Sequence, residues 1–423
     1  MDDQEAMVCY GCVDDDHLQQ LIRSEGRSTG CFYCGKKRKA ISIGRLSDLV
    51  AEVMYAFFES APYGERGDEL TFHVAEILGC GDSCAPLVGD VCGELVSCSQ
   101  WQIMQGDEPR FDEFGLYSRL QFWPVETERK WRDFKSGIMH KSRFFNQSGK
   151  EFLEWLFGSI DSFRRGSTSD LNEDGVVRTI KADGNVELFR ARECSLAEAQ
   201  EIARNPDDQL GAPPKEKARA GRMNPEGVPV FYGAFERKTC VAELRPPVGG
   251  FVISGQFKLT RDLRVLDFKR LEDAYEHAPL SLFDPEYRLK MERRKFLTTF
   301  HGKIKNPVLP KHEHEYLTTQ VIAEYLSTQH TPRIDGVIFE SAQNSGGLNI
   351  VLFAHVVSMD SAGQVLRPPH DLNRPTRGIE YVPMTLVLHK IKAVEFDRDD
   401  HPYTGAPSHL FGEYYRSEDD WDW

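Results

Sequence analysis

At 423 residues the chain is long enough for two or three domains, each able to bury its own core. Its 40% hydrophobic and 11% aromatic content excludes a disordered polymer, and a formal net charge of −14 excludes a protein whose whole surface coats nucleic acid. The opening MDDQEAMVCYGC lacks the basic and then apolar pattern of a secretion signal, and no apolar run approaches the ~20 residues of a membrane helix. A soluble, cytoplasmic chain with no membrane partner is expected.

The first stretch, residues 1–45, is built around Cys9, Cys12, Cys31 and Cys34, spaced C-x2-C-x18-C-x2-C. A two-residue gap lets both thiolates of a pair face one ion, and four thiolates suit tetrahedral Zn²⁺, so the spacing predicts a structural zinc knuckle. Gly11 and Gly35 ease the turns around the sulfurs. Lys36, Lys37, Arg38 and Lys39 follow directly. In so acidic a chain they read as a solvated run rather than a nucleic-acid contact.

Residues 46–165 form a mainly helical stretch. Leu46, Leu49, Val50, Val53, Met54, Phe57 and Phe58 recur at three- and four-residue steps, the pattern of one buried helix face, and EFLEWLFGSIDSF reads as another helix. Cys80, Cys84, Cys92 and Cys98 are irregularly spaced and read as core thiols rather than a second metal site. Gly79-Cys80-Gly81 does not complete a dinucleotide fingerprint, because no strand precedes it and Cys84 stands at the third glycine. Arg132 and His140 lie about 80° apart on a helix, so structural roles are favoured for both. Residues 166–185, with RRGSTSDLNEDG, read as a linker.

From 186 to 397 short strand-like runs (VPVFYGAF, FVISGQFKL, RVLDF, GVIFES, LNIVLFAHVV) alternate with helical segments such as EYLTTQVIAEYLST, so an α+β domain is expected. His312 and His314 read as surface histidines, and residues 398–423 as an acidic tail. The informative segment is GRMNPEGVPVFYGAFERKTCVAELRPP, which places Arg222 before a turn, Tyr232 on a strand and Glu243 on a short helix. Each type suits a dinucleotide. A guanidinium forks onto phosphate oxygens, and an aromatic face stacks on a heterocycle or braces a ribose. A carboxylate grips ribose hydroxyls and stabilises an oxocarbenium-like charge. Spacing alone does not single out an enzyme, since such trios occur in many structural domains.

The pattern resembles the RES domain family, named for its Arg, Glu and Ser and known from toxin–antitoxin modules. The residues that carry the resemblance are Arg222 in GRMNPEGVPVFY, Tyr232 in the same motif, Glu243 in TCVAEL and Ser341 in DGVIFESAQNSGGLNIVLF. LFRAR and TTQVIAEYL agree as well, and Met223 departs where the family often has Trp. The N-terminal half resembles the HEPN-like helical domains joined to such modules.

The resemblance implies a mixed sheet of ADP-ribosyltransferase type that degrades NAD⁺ by phosphorolysis or hydrolysis, in a toxin-like or defence effector. Arg222, Tyr232, Glu243 and Ser341 would be catalytic, with Arg190, Asn224, Gly346 and Gly347 binding NAD⁺. It also implies an antitoxin or regulatory partner, and self-association is a further expectation. Two other readings stay open. One keeps the site and sends ADP-ribose to a protein or nucleotide acceptor. The other is a non-catalytic NAD⁺ or ADP-ribose sensor with a zinc module that contacts nucleic acid.

Overall fold

The computed structural model describes residues 5–61, 66–80, 84–104, 110–112, 114–121, 123–165, 175–276, 280–305, 316–357 and 377–394. His312, His314 and the acidic tail lie outside the described residues. Near the N-terminus, β1 (Met7–Cys9), β2 (Arg27–Gly30) and β3 (Lys37–Ser42) form an antiparallel sheet with β3 in the middle. Between β1 and β2 runs α1 (Asp16–Glu25), capped by Asp15, whose carboxylate accepts the Leu18 N–H. α2 (Ile43–Phe57) begins at Ser42, whose hydroxyl accepts the Arg45 N–H. The predicted face of α2 is buried at Leu46, Leu49, Val50, Val53 and Met54.

Next come β4 (Phe58–Ser60), β5 (Asp68–Glu69), α3 (Leu70–Leu78), α4 (Ala85–Met104) and β6 (Leu116–Arg119), the three strands making a second small sheet. Cys80 and Cys92 are buried in this core, whereas Cys98 is exposed.

α5 (Val125–Ser136) and α6 (Gln147–Phe157) follow, then β7 (Phe163–Arg164), β8 (Val177–Ile180) and β9 (Leu188–Cys194). The chain continues through α7 (Leu196–Arg204), α8 (Pro206–Leu210), β10 (Phe231–Ala234), α9 (Arg237–Ala242), β11 (Phe251–Leu259), β12 (Leu263–Asp267) and β13 (Tyr275–Glu276). It closes with α10 (Tyr287–Lys305), α11 (Tyr316–Thr328), β14 (Gly336–Glu340), β15 (Leu348–Leu352), α12 (Ala354–Val357), β16 (Ile379–Tyr381) and β17 (Val387–Lys390).

Nine strands form one mixed sheet in the order β16–β11–β9–β10–β15–β14–β12–β8, with β17 also along β11. The β12–β14 pairing is parallel, and the other pairings in this sheet are antiparallel. Mixed α/β architecture therefore agrees with the expectation for the C-terminal region.

The division into a helical domain ending at 165 and a linker over 166–185 does not follow the packing. β8 falls inside that linker and pairs antiparallel with β12. Trp131 and Phe134 of α5 and Phe152, Leu156 and Phe157 of α6 share one core with Phe296 and Phe300 of α10, Leu326 of α11, and Phe339 and Val351 of the sheet. The physical reason is burial. The sheet needs a cover on this face, and the apolar stripes of α5 and α6 supply part of it. In the other direction Leu282 and Tyr287 pack into the N-terminal core, and the Ser281 hydroxyl donates to Asp15 at 2.8 Å.

One ion cluster ties together the ends of β12, β14 and β15. Asp335 pairs with Arg261 and with His355 Nε2, both at 3.0 Å, and accepts the Arg264 backbone N–H at 2.9 Å. Burial alone would raise its carboxyl, but these donors outweigh burial and hold it well below the usual range. A depressed folded pKa gives stability that is present above the unfolded carboxylate pKa near 4 and lost as pH falls through the folded value. Asp335→Asn should therefore lower the melting temperature at neutral pH, and the gap to the parent should shrink as pH drops below about 4. A gap independent of pH in thermal melts would mean that the carboxylate charge is not what stabilises these strand ends.

Candidate active site and cysteine cluster

The short strand β10 lies between β9 and β15, so Tyr232 faces Val351 across one pairing and neighbours Ala234, which opposes Phe189 across the other. Just before it, residues 221–224 close a tight turn in which the Gly221 N–H donates to Asn224 O at 2.9 Å. A Cβ at Gly221 would sit 2.6 Å from the Tyr232 hydroxyl, so only glycine fits there. That hydroxyl accepts the Met223 N–H at 2.9 Å and donates to Asn224 Oδ1 at 2.8 Å. Asn224 is buried, and its amide donates to the carbonyls of Arg219, Pro225 and Val228.

Asn224, expected to bind NAD⁺, has its side-chain amide engaged within the turn on both its nitrogen and its oxygen. The Tyr232 hydroxyl pins the same turn.

The turn sets Arg222. Its backbone carbonyl accepts from the Thr319 hydroxyl on α11, and its Nη1 donates to Ile304 O at the end of α10 at 3.1 Å. The guanidinium carbon lies 6.0 Å from the centre of the Phe339 ring. Phe339 pairs across the sheet with Asn349, whose side-chain amide donates to Glu243 Oε1 at 2.8 Å. Arg222 and Glu243 are thus linked through two adjoining residues of β14 and β15.

Glu243 follows the last turn of α9, and its N–H donates to Thr239 O. The Ser341 hydroxyl donates to the same Oε1 at 2.6 Å. Among the described residues Oε2 has no hydrogen-bond partner, and Glu243 is exposed. One oxygen is anchored and the other faces outward. Ser341 is 2% exposed, and its oxygen also accepts the N–H groups of Gln343 and Asn344, both at 3.1 Å. Ser341, expected to bind the ligand directly, has its hydroxyl engaged inside the protein, where it positions the Glu243 carboxylate.

Gly346 and Gly347, the expected ligand contacts, shape a loop that requires glycine. Gly346 has φ +75°, and a Cβ at Gly347 would meet the Thr239 hydroxyl at 2.4 Å. The loop they form is tied to α9 by Asn344, which donates to that hydroxyl at 2.7 Å.

Arg190 on β9 lies with its guanidinium carbon 5.3 Å from the centre of the Phe231 ring. Its Nη1 is sealed from solvent and has no hydrogen-bond partner. Burial pulls the guanidinium down to about 10, partly offset by the electrostatic influence of Cys240 and Tyr232. A buried, unmatched cation of this kind is the group that a bound anion would satisfy.

Two further groups support the site without an obvious motif. Asn349 is the one polar residue in the apolar run LNIVLF, and that break in the pattern was its available signal. His301 is fully buried on α10, with Nδ1 2.5 Å from Glu272 Oε1, and its Nε2 accepts the Glu340 N–H at 3.1 Å. It therefore fixes the residue immediately before Ser341, which nothing in its own sequence neighbourhood suggests. An open pocket of about 440 Å³, lined by Phe72, His73, Glu76 and Arg119 among others, lies in the N-terminal part and contains none of these groups.

Residues 188–374 match a family model. The C-terminal segment carries a RES domain. The match spans Arg190, Arg222, Tyr232, Glu243 and Ser341, so the constellation built above lies within the RES domain. It starts at Leu188, and nothing supports the HEPN-like part of the resemblance. No curated protein and no solved structure matches the chain.

The second constellation is at the N-terminus. The ligand atoms of Cys9, Cys12, Cys31 and Cys34 all lie within 4.8 Å of one another, with Cys9–Cys12 at 3.8 Å and Cys9–Cys34 and Cys12–Cys31 at 3.6 Å. A tetrahedron with metal–sulfur bonds of about 2.3 Å places its sulfurs ~3.8 Å apart, so the cluster fits one metal ion such as zinc. Burial and the neighbouring sulfurs push the Cys9 and Cys12 thiols up. At Cys31 burial also raises, but backbone N–H donors outweigh it and bring the thiol to about 7.

Proposed function

We infer that the RES domain cleaves the bond between nicotinamide and ribose in NAD⁺, on a mixed sheet of ADP-ribosyltransferase type. The observation that carries this reading is Glu243, with Oε1 held by Ser341 and Asn349 and Oε2 without a hydrogen-bond partner among the described residues. A carboxylate fixed in this way can face the positive charge that grows on the ribose as the C1′–N bond breaks. The bonding electrons leave with nicotinamide. An oxygen of phosphate or water then bonds to C1′, and with water the spare proton passes to solvent. Arg222 and the unmatched Arg190 supply positive charge for the pyrophosphate or the nicotinamide ribose. The Tyr232 ring flanks the leaving group. In this reading the chain is a toxin-like or defence effector held in check by an antitoxin protein.

The experiment is an assay of the purified full chain on NAD⁺, with and without phosphate. Free nicotinamide is expected in at least one condition. A phosphorylated ADP-ribose product marks phosphorolysis, and free ADP-ribose marks hydrolysis. Label retained on a protein or nucleotide would favour ADP-ribosyl transfer, and intact NAD⁺ with bound ligand would leave only a sensor.

Zn²⁺ is proposed for the cysteine cluster, in a structural role. Cys12→Ser should remove the metal and destabilise the N-terminal sheet by several kcal/mol, because structural zinc contributes directly to folding. Elemental analysis of chain purified without chelator should find one zinc, and its absence would overturn the assignment.

A further inference from the structure

We propose that the β2–β3 hairpin and the Cys31–Cys34 knuckle form a binding surface for single-stranded nucleic acid. The chain as a whole is acidic, but residues 26–42 carry Arg27, Lys36, Lys37, Arg38 and Lys39 and no acidic residue. Among the described residues none of these five makes an ion pair. Nearby Arg45, by contrast, is neutralised by Glu25 at 3.1 Å. A local charge this concentrated, left uncompensated in a chain with acid to spare, fits an external polyanion.

The hairpin fixes how the charges are displayed. β2 and β3 pair Gly30 with Lys37 and Ser28 with Lys39, which puts Lys37 and Lys39 on one side of β3. Lys37 and Lys39 are exposed, whereas Arg38 turns toward Tyr10, its guanidinium 5.5 Å from the ring centre. The Cys31 N–H donates to Lys36 O at 3.0 Å, so the knuckle brings Phe32 close to Lys36.

Phe32 decides the class of polyanion. Its neighbour Tyr33 turns inward and donates to Asp90 at 2.7 Å, anchoring the knuckle on α4. Phe32 turns outward and is 71% exposed, on a turn held by Cys31 and Cys34. An exposed ring braced by a neighbour at 5.3 Å, beside ammonium groups that no carboxylate pairs, matches a base stacked on an aromatic with its phosphates on lysine. An acidic peptide would use the lysines and leave the ring unused. The net charge of −14 limits affinity at long range, but screening confines that repulsion to about 8 Å at physiological salt.

The test is fluorescence anisotropy of labelled poly(dT) and poly(U) with the metal-loaded full chain, across a salt series. Binding should weaken with salt along a log–log slope of about −2 to −3.5, the value for three to five phosphate contacts on a single strand. Lys36→Glu with Lys37→Glu should lose at least tenfold in affinity. Phe32→Ala should lose about tenfold for the oligonucleotide at a nearly unchanged salt slope, the signature of lost stacking. Melting curves of both surface variants should match the parent. Three outcomes would overturn the proposal. They are no binding at low salt, equal binding by all variants, or poly-glutamate competing as well as the oligonucleotide does.

Discussion

Glu243→Gln is expected to lower the turnover of NAD⁺ by roughly two or more orders of magnitude with little change in affinity. Glutamine preserves the shape of the side chain and can still accept from Ser341 and Asn349 through its oxygen, so the site should stay assembled. The charge at the outward atom is lost, and in the proposed reaction the positive charge that it would stabilise develops only as the bond breaks. Arg222→Ala should instead weaken binding most, since a cation on phosphate acts in ground and transition states alike.

Ser341→Ala tests the positioning role. The carboxylate and its charge remain, but Oε1 keeps only the Asn349 bond and the loop amides of Gln343 and Asn344 lose their acceptor. Its kcat should fall less than that of Glu243→Gln, with KM nearly unchanged. Single-turnover nicotinamide release and equilibrium binding together separate these cases. Wild-type turnover by Glu243→Gln would remove Glu243 from the mechanism while leaving the RES assignment standing.

Deleting residues 1–177 is expected to abolish soluble protein rather than release an active RES domain. The cut would take away Trp131, Phe134, Phe152, Leu156, Phe157 and Phe163, whose partners in the shared core lie in the RES region. It would also remove Val177 of β8 from the edge of the large sheet. A single change makes the same point with less disruption. The Trp131 ring lies 5.5 Å from Phe300 and 5.8 Å from Phe296, centre to centre, and is 6% exposed.

Trp131→Ala should therefore cost about 3–5 kcal/mol, the range for deleting a large buried aromatic. The loss should appear in the RES sheet as well as in α5, as one shifted transition by circular dichroism and by hydrogen exchange of β14 and β15. A RES sheet that keeps its exchange protection while α5 melts would show that the two fold separately. With one shared transition, any regulation of the site by the N-terminal part must act without detaching α5 and α6.

The chemistry at both ends was legible in the sequence because each depends on residue types at short range. The cysteine spacing fixed how two pairs could meet one ion, and the four sulfurs do converge. The runs around Arg222, Glu243 and Ser341 carried the RES resemblance that the family model also finds. The buried face of α2 followed from its period, since Leu46, Val50 and Val53 must share one side of any helix.

Roles within the site depended on distances that no spacing encodes. Glu243 and Ser341 are 98 positions apart, and it is the pairing of both β10 and β14 with β15 that brings the hydroxyl to 2.6 Å from the carboxylate. The hydrogen bond between Asn224 and the Tyr232 hydroxyl inside the turn is likewise not encoded in their spacing. His301 gave no local sign of its role, because the Glu340 amide it holds is 39 residues away. The domain boundary was hidden for a similar reason. A polar stretch such as 166–185 announces a break in regular structure, but an apolar helix face does not say which surface it covers. That is decided by which sheet lacks a cover, and in this protein α5 and α6 cover the RES sheet.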